Sequence, residues 1–260
     1  MPVVLPFPRL VKRYVCLKDK PSAERLQQAE TVTAAELAEE FAESVAAHAS
    51  LPPTDEPFFP ADPERDGPKS DEAEARTFGW SMAIKRTLPH IVVTGAPELN
   101  FRYAEREIIP TRTQHRPTYE EGIAGKQVRV DLVLAHVPSG RPIVGELKIA
   151  DDKDPYTGLI QALAGASQLV SASQRQRLNT HVGPLASADD EPLVDVYVLL
   201  GAYPKTGRDR FKQLDLAAKL SSQLEAQPQI SEHIGRIRIL SLSRHQDDIA
   251  SASAELPKSS

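Results

Sequence analysis

Polar and apolar side chains along this chain follow two rhythms. Over 98–109 and 127–136 they alternate at period two, the pattern of a strand with one face on a core. Ile143 to Ala150 resumes a strand after the turn Val137-Pro-Ser-Gly-Arg-Pro142, so 127–136 and 143–150 read as a hairpin. Residues 193–203 are apolar nearly throughout, as in a central strand buried on both faces. Residues 234–242 form a last strand. The helical rhythm appears over 31–49, where Thr33 and Glu36 make a capping box and Leu37, Phe41 and Val45 recur every four residues. That stripe is a packing surface, with a dimer or partner contact as the alternative. Further helices are expected over 71–89, with Phe78, Trp80, Met82 and Ile84 apolar, and over 154–179, opened by Asp154 as N-cap and Pro155. A last helix covers 208–226. The order predicts an α/β fold, a mixed β-sheet flanked by helices on both faces.

Three segments stand outside this rhythm. Residues 1–20 read as a short strand or docking arm. Residues 50–70 are dense in proline, which forbids regular hydrogen-bonded structure, so they read as a linker on which Phe58 and Phe59 could dock. The polar end from Asp247 reads as a frayed tail. The expected organisation is an N-terminal arm, helix and linker over 1–70, a main domain over 71–246 and a flexible tail over 247–260.

Composition narrows the chemistry. The net charge is -5, so contact with nucleic acid would need a local basic surface, a metal or a partner rather than bulk electrostatics. The single cysteine, Cys16, excludes an intramolecular disulfide and is expected to be a partly buried apolar residue. No apolar run reaches the length of a membrane span, and the first residues lack a basic leader, so a cytoplasmic location is expected.

The chemistry-bearing feature is Arg129-Val-Asp131 followed by Gly145-Glu146-Leu-Lys148. Period two sets Arg129, Asp131 and Val133 on one face of their strand, and Glu146 and Lys148 on one face of the next. Two carboxylates converging on a sheet must share a proton or hold a cation. Magnesium takes one or two carboxylates together with phosphate oxygens and water, and Lys148 adds a compact positive charge. Gly145 allows a close backbone approach. The bland alternative is a cross-strand ion pair on a solvated face, but these strands are among the most apolar in the chain.

In these residues and in its element order the chain resembles the PD-(D/E)XK nuclease superfamily, with its restriction-endonuclease-like fold. Asp131 matches the acid of the second core strand, and Glu146-Leu147-Lys148 the acid-X-lysine of the third. The resemblance covers 71–203 as a pattern. It implies that Asp131 and Glu146 bind Mg2+, with Mn2+ able to substitute, that the Leu147 carbonyl is a further ligand, and that Lys148 assists the attacking water. Glu74 on the first core helix, with Glu72 as alternative, would add a carboxylate. Gln161 matches a glutamine that RecB-like members place after the motif, while position 165, tyrosine in that subgroup, is glycine. The implied activity is metal-dependent hydrolysis of phosphodiester bonds, in DNA foremost, in defence against foreign DNA or in repair. The alternative is a catalytically silent module that binds nucleic acid or protein on the same fold. Residues 1–70 could serve a homo-oligomer or a protein partner, and no membrane is implied.

Other signals are weaker. His136 falls near a strand end on the opposite face from Asp131. His90, His115, His181, His233 and His245 show no paired ligand spacing. Ser173 to Arg177 is a basic segment that could touch phosphate, or be placed by the helix dipole. Arg102 and Arg106 read as solvated strand charges, or as a surface toward nucleic acid.

Overall fold

The computed structural model describes residues 4–5, 7–49, 72–111, 118–119, 128–149, 154–182, 185, 194–202, 208–245 and 248–254. The chain opens with β1 (Val4–Leu5), then α1 (Arg9–Lys18), α2 (Ser22–Thr31), α3 (Ala34–Ala49) and α4 (Glu72–Arg86). Next come β2 (Val93–Thr94), a 3-10 turn (Pro97–Leu99), β3 (Phe101–Ile108), β4 (Thr118–Tyr119), β5 (Val130–His136) and β6 (Pro142–Ile149). Then follow α5 (Pro155–Leu169), α6 (Ala172–Val182), β7 (Val194–Gly201), α7 (Arg208–Glu225), α8 (Pro228–Ser231), β8 (Ile234–His245) and β9 (Asp248–Ser253).

Seven strands form one mixed sheet in the order β2-β9-β8-β7-β6-β5-β3, and β1 pairs with β4 apart from it. The expected hairpin is present: β5 and β6 run antiparallel, with Leu132 opposite Gly145 and Ala135 opposite Pro142. Strands β6, β7 and β8 are parallel, and the apolar run 193–203 supplies the central strand β7, buried at every position. Two cores result. Val144, Val196, Val198 and Leu200 meet α1, α3, α5 and α7 on one face. Leu132, Leu134, Leu147 and Leu199 meet Trp80, Ala83 and Ile84 of α4 on the other.

Several expectations are corrected. Residues 9–18 are not a strand or arm but a helix. Leu10, Tyr14 and Leu17, spaced four and three apart, put one stripe on the core, while Cys16 turns outward and is exposed rather than partly buried. The N-terminal helices are not an appendage: Leu10, Leu17, Leu37 and Phe41 are fully buried in the same core as the sheet. The capping box at Thr33 forms, its hydroxyl accepting the Glu36 N–H at 3.1 Å. The expected long helix 154–179 breaks at Ser171, whose carbonyl accepts the Arg175 N–H and starts α6. The tail is not frayed from Asp247, because Asp248–Ser253 pairs with both β8 and β2. The proline-rich segment 50–70, with Phe58 and Phe59, lies outside the described residues.

Candidate functional site

The site forms where two strands part. The β5–β6 ladder ends at Leu132 and Gly145. One step further, the Leu147 N–H donates to Asp131 Oδ2 at 3.1 Å, so a side chain caps the ladder. Strict alternation fails there too, because Val130 joins Val133 in the core against α5. A Cβ at Gly165 would lie 2.7 Å from Val130 Cγ2, so α5 can approach this closely only with glycine at that position. The tyrosine implied at 165 by the RecB-like pattern has no room.

The structure brings Glu146, Lys148 and Gln161 together, with Asp131 bonded to the intervening Leu147 amide. Lys148 Nζ donates to Glu146 Oε1 at 2.5 Å and to Gln161 Oε1 at 3.3 Å. Gln161 Nε2 in turn donates to the Arg129 carbonyl at 3.2 Å, tying α5 to the strand that carries Asp131. Glu146, Lys148 and Gln161 are 1%, 3% and 6% exposed, whereas Asp131 is half-buried. Burial, then the charge and hydrogen bond of Asp131, push the Glu146 carboxyl well above its usual range, against the pull of Lys148.

Two further residues near this face of the sheet were not singled out by the sequence. Tyr14 of α1 is buried in the core shared with α5. Its signal was the helical spacing of Leu10, Tyr14 and Leu17. Glu107 lies opposite Asp131, between the pairs Arg106–Leu132 and Ile108–Val130, with a left-handed φ of 53°. Its carboxylate is 4.0 Å from both Arg106 and Arg129. No feature of the sequence marks a glutamate for that conformation.

Other candidates lie elsewhere. Helix α4 packs on the opposite face of the sheet, and the side chains of Glu72 and Glu74 lie outside the described residues. His136 is on that opposite face, bonded to Ser139 and the Glu98 carbonyl. Arg177 and Gln174 are buried and donate to the Pro110 carbonyl, so the basic segment 173–177 anchors a loop rather than facing phosphate or serving the helix dipole. Arg102 is exposed, and Arg106 stacks on Phe78 at 4.8 Å. His115 lies outside the described residues.

Among the described residues no group of three or more His, Cys, Asp or Glu side chains is gathered for a metal, and no helix is long and apolar enough to cross a membrane. Comparison of the chain with protein-family models, curated proteins and solved structures found no significant match.

Proposed function

We propose that this protein is a metal-dependent nuclease of the restriction-endonuclease-like type that hydrolyses phosphodiester bonds in DNA. One observation carries the reading: where two strands part, Asp131 accepts the Leu147 N–H while the neighbouring Glu146 accepts from a buried lysine, so two acids and a lysine gather at one point. Two neighbouring carboxylates are a donor set that a hard divalent cation fits, because its charge relieves their mutual repulsion. Asp131, Glu146 and the Leu147 carbonyl would hold Mg2+ or Mn2+, with water and substrate oxygens completing the shell. When bound, the cation polarises the scissile phosphate and lowers the pKa of a coordinated water.

The chain's own groups do the rest. Gln161 fixes Lys148 from one side and the Arg129 peptide from the other, so the lysine cannot swing out of the site. With Glu146 among the residues that would hold the cation, the Lys148 ammonium, kept in place by Gln161, would be positioned to hydrogen-bond the attacking water or a phosphate oxygen. Asp131, half-buried, is the carboxylate that meets substrate from outside.

The burial of Glu146 and Lys148 favours a second reading, a binding module whose ion pair is structural. Cleavage of plasmid, linear and single-stranded DNA, and of RNA, with Mg2+ or Mn2+ separates the two. The nuclease reading requires cleavage by the wild type and none by Glu146→Ala or Lys148→Ala. Equal activity in the variants, or no cleavage of any substrate, would reject it.

A further inference from the structure

We propose that Arg25 of α2 is a positioning residue for Lys148: its ion pair with Asp154 clamps the first turn of α5, and the lysine side chain lies along that turn. The catalytic consequence rests on the nuclease reading, whereas the clamp itself does not.

The contacts run in an unbroken line. Arg25 Nε lies 3.1 Å from Asp154 Oδ2. Asp154 is the N-cap of α5, where its Oδ1 accepts the Thr157 N–H at 2.7 Å and its Oδ2 the Thr157 hydroxyl at 3.2 Å. Its main-chain carbonyl accepts the Gly158 N–H at 3.1 Å. Gly158 is where the lysine meets the helix: a Cβ there would lie 3.2 Å from Lys148 Cγ and 3.0 Å from Lys148 Cε. One turn further, Gln161 accepts from Lys148 Nζ at 3.3 Å. The lysine therefore runs lengthwise along α5, its stem against Gly158 and its head at Gln161. A shift of the first turn moves that stem or opens a gap beside it.

Helix α2 buries only Ala29, so no apolar stripe ties it to the core. Toward α7 it makes polar ties, an ion pair of Glu30 with Lys212 and a hydrogen bond from Gln213 Nε2 to Ser22 Oγ at 3.2 Å. The Arg25–Asp154 pair differs from these in its burial, with side chains 14% and 3% exposed. Arg25 Nε is sealed from solvent and has no aligned hydrogen bond among the described residues, so the attraction to Asp154 is one of charge. An ordinary N-cap is met by water and needs no cation. Here α5 is buried at every position from Pro155 to Leu169, and Arg25 supplies the counter-charge that water would supply elsewhere.

Loss of Arg25 leaves the Asp154 carboxylate buried without that charge. Its relief is to turn toward water, which releases the Thr157 amide and with it the first turn of α5. Lys148 then loses the backbone surface along its stem and is held only at its head, by Glu146 and Gln161. A displacement of about 1 Å at a group that must meet the attacking water or a phosphate oxygen can cost about 100-fold in rate.

The test compares the full-length wild type with Arg25→Ala, Arg25→Lys and, as control, Arg141→Ala, which breaks a different buried ion pair beyond the other end of β6. Lys148 is probed first without substrate, by its rate of acylation with acetic anhydride, read by mass spectrometry of the peptide that contains it. Arg25→Ala should raise this rate about tenfold, because a loosened contact opens more often. Arg25→Lys should restore the wild-type rate, since the contact is charge to charge rather than a bidentate fork. Arg141→Ala should leave the rate unchanged although it lowers the melting temperature. A wild-type rate in Arg25→Ala overturns the proposal. An equal rise in Arg141→Ala also overturns it, since the effect would then be a general loss of stability. If Arg25→Ala does not fold, Asp154→Asn, which keeps a capping oxygen and removes the charge, carries the same expectations. With plasmid DNA and Mn2+, Arg25→Ala should lower kcat about tenfold at unchanged KM. Cleavage by Arg25→Ala at the wild-type kcat overturns the catalytic role. Faster acylation of Lys148 in Arg25→Ala beside a wild type that cuts neither DNA nor RNA would uphold the clamp and reject the nuclease reading.

Discussion

Replacing Gly165 with alanine tests how closely α5 must seat on the strand that carries Asp131. In an exposed helix this change stabilises by about 1 kcal/mol, because glycine is the poorer helix former. Here the added Cβ would lie 2.7 Å from Val130 Cγ2 and 3.5 Å from Val144 Cγ1. Real Cβ atoms do not approach to 2.7 Å, so either α5 lifts or Val130, the neighbour of Asp131, retreats. Overpacking of this kind costs about 1–3 kcal/mol, which outweighs the propensity gain. At the middle of that range, about 2 kcal/mol, the net expectation is a loss of about 1 kcal/mol, or about 2–4 °C in melting temperature for a chain of this size. Gly79→Ala in α4 is the control, since the nearest atom to its Cβ would be Arg244 Nη1 at an ordinary 3.5 Å. It should gain up to about 1 kcal/mol. Urea unfolding midpoints, compared at constant slope, read both. A midpoint for Gly165→Ala at or above that of the wild type would refute the close approach of α5 to β5.

Three further outcomes follow from other parts of the structure. Gly158→Ala puts a Cβ 3.0 Å from Lys148 Cε and 3.1 Å from Val198 Cγ1, so cleavage should fall by about tenfold or more while the melting temperature moves little, as activity assays beside thermal melts would show. His48 is buried with its Nε2 unpartnered, and burial lowers its pKa from 6.5 to about 4. Between those values the unfolded chain binds a proton that the folded chain refuses, so stability is full above pH 6.5 and falls by on the order of 3 kcal/mol as pH drops toward 4; urea titrations across that range should be flatter for His48→Gln. Arg141 Nη1 donates to Asp195 at 3.0 Å, and Asp195 is fully buried, so Arg141→Ala should cost about 3 kcal/mol in the same assay, whereas a loss under about 0.5 kcal/mol would show that the pair contributes little.

The central sheet and the acid–acid–lysine group were legible because both rest on period two. Alternation in 127–136 and 143–150 determines which side chains share a face, and the short turn at Pro138–Gly140 leaves an antiparallel hairpin as the simple solution. What alternation could not show is where pairing stops. The parting of β5 from β6 after Leu132 depends on the Asp131 side chain bonding the Leu147 amide, a tertiary event. The first helix, over 9–18, was missed for a different reason. Proline at positions 2, 6 and 8 masks a helix whose N-cap is Pro8, and the stripe Leu10, Tyr14, Leu17 spans only ten residues. The break at Ser171 lies between two stretches that are each good helix, so no composition change marks it. Strand β9 is small and polar, and gains its place from neighbours on both sides rather than from its own propensity. Glu107 adopts its left-handed φ opposite Asp131, and nothing in the local sequence requires it.

The central claim is that Asp131 and Glu146 together hold a divalent cation, which displaces the proton that burial favours on Glu146. Calorimetric titration of the full-length protein with Mn2+, repeated in buffers of different ionisation enthalpy, tests it most directly. The account predicts binding by the wild type with release of a proton, tighter binding as pH rises, and loss of binding in Asp131→Ala and in Glu146→Ala. Absence of binding by the wild type, or equal binding by both variants, would contradict it.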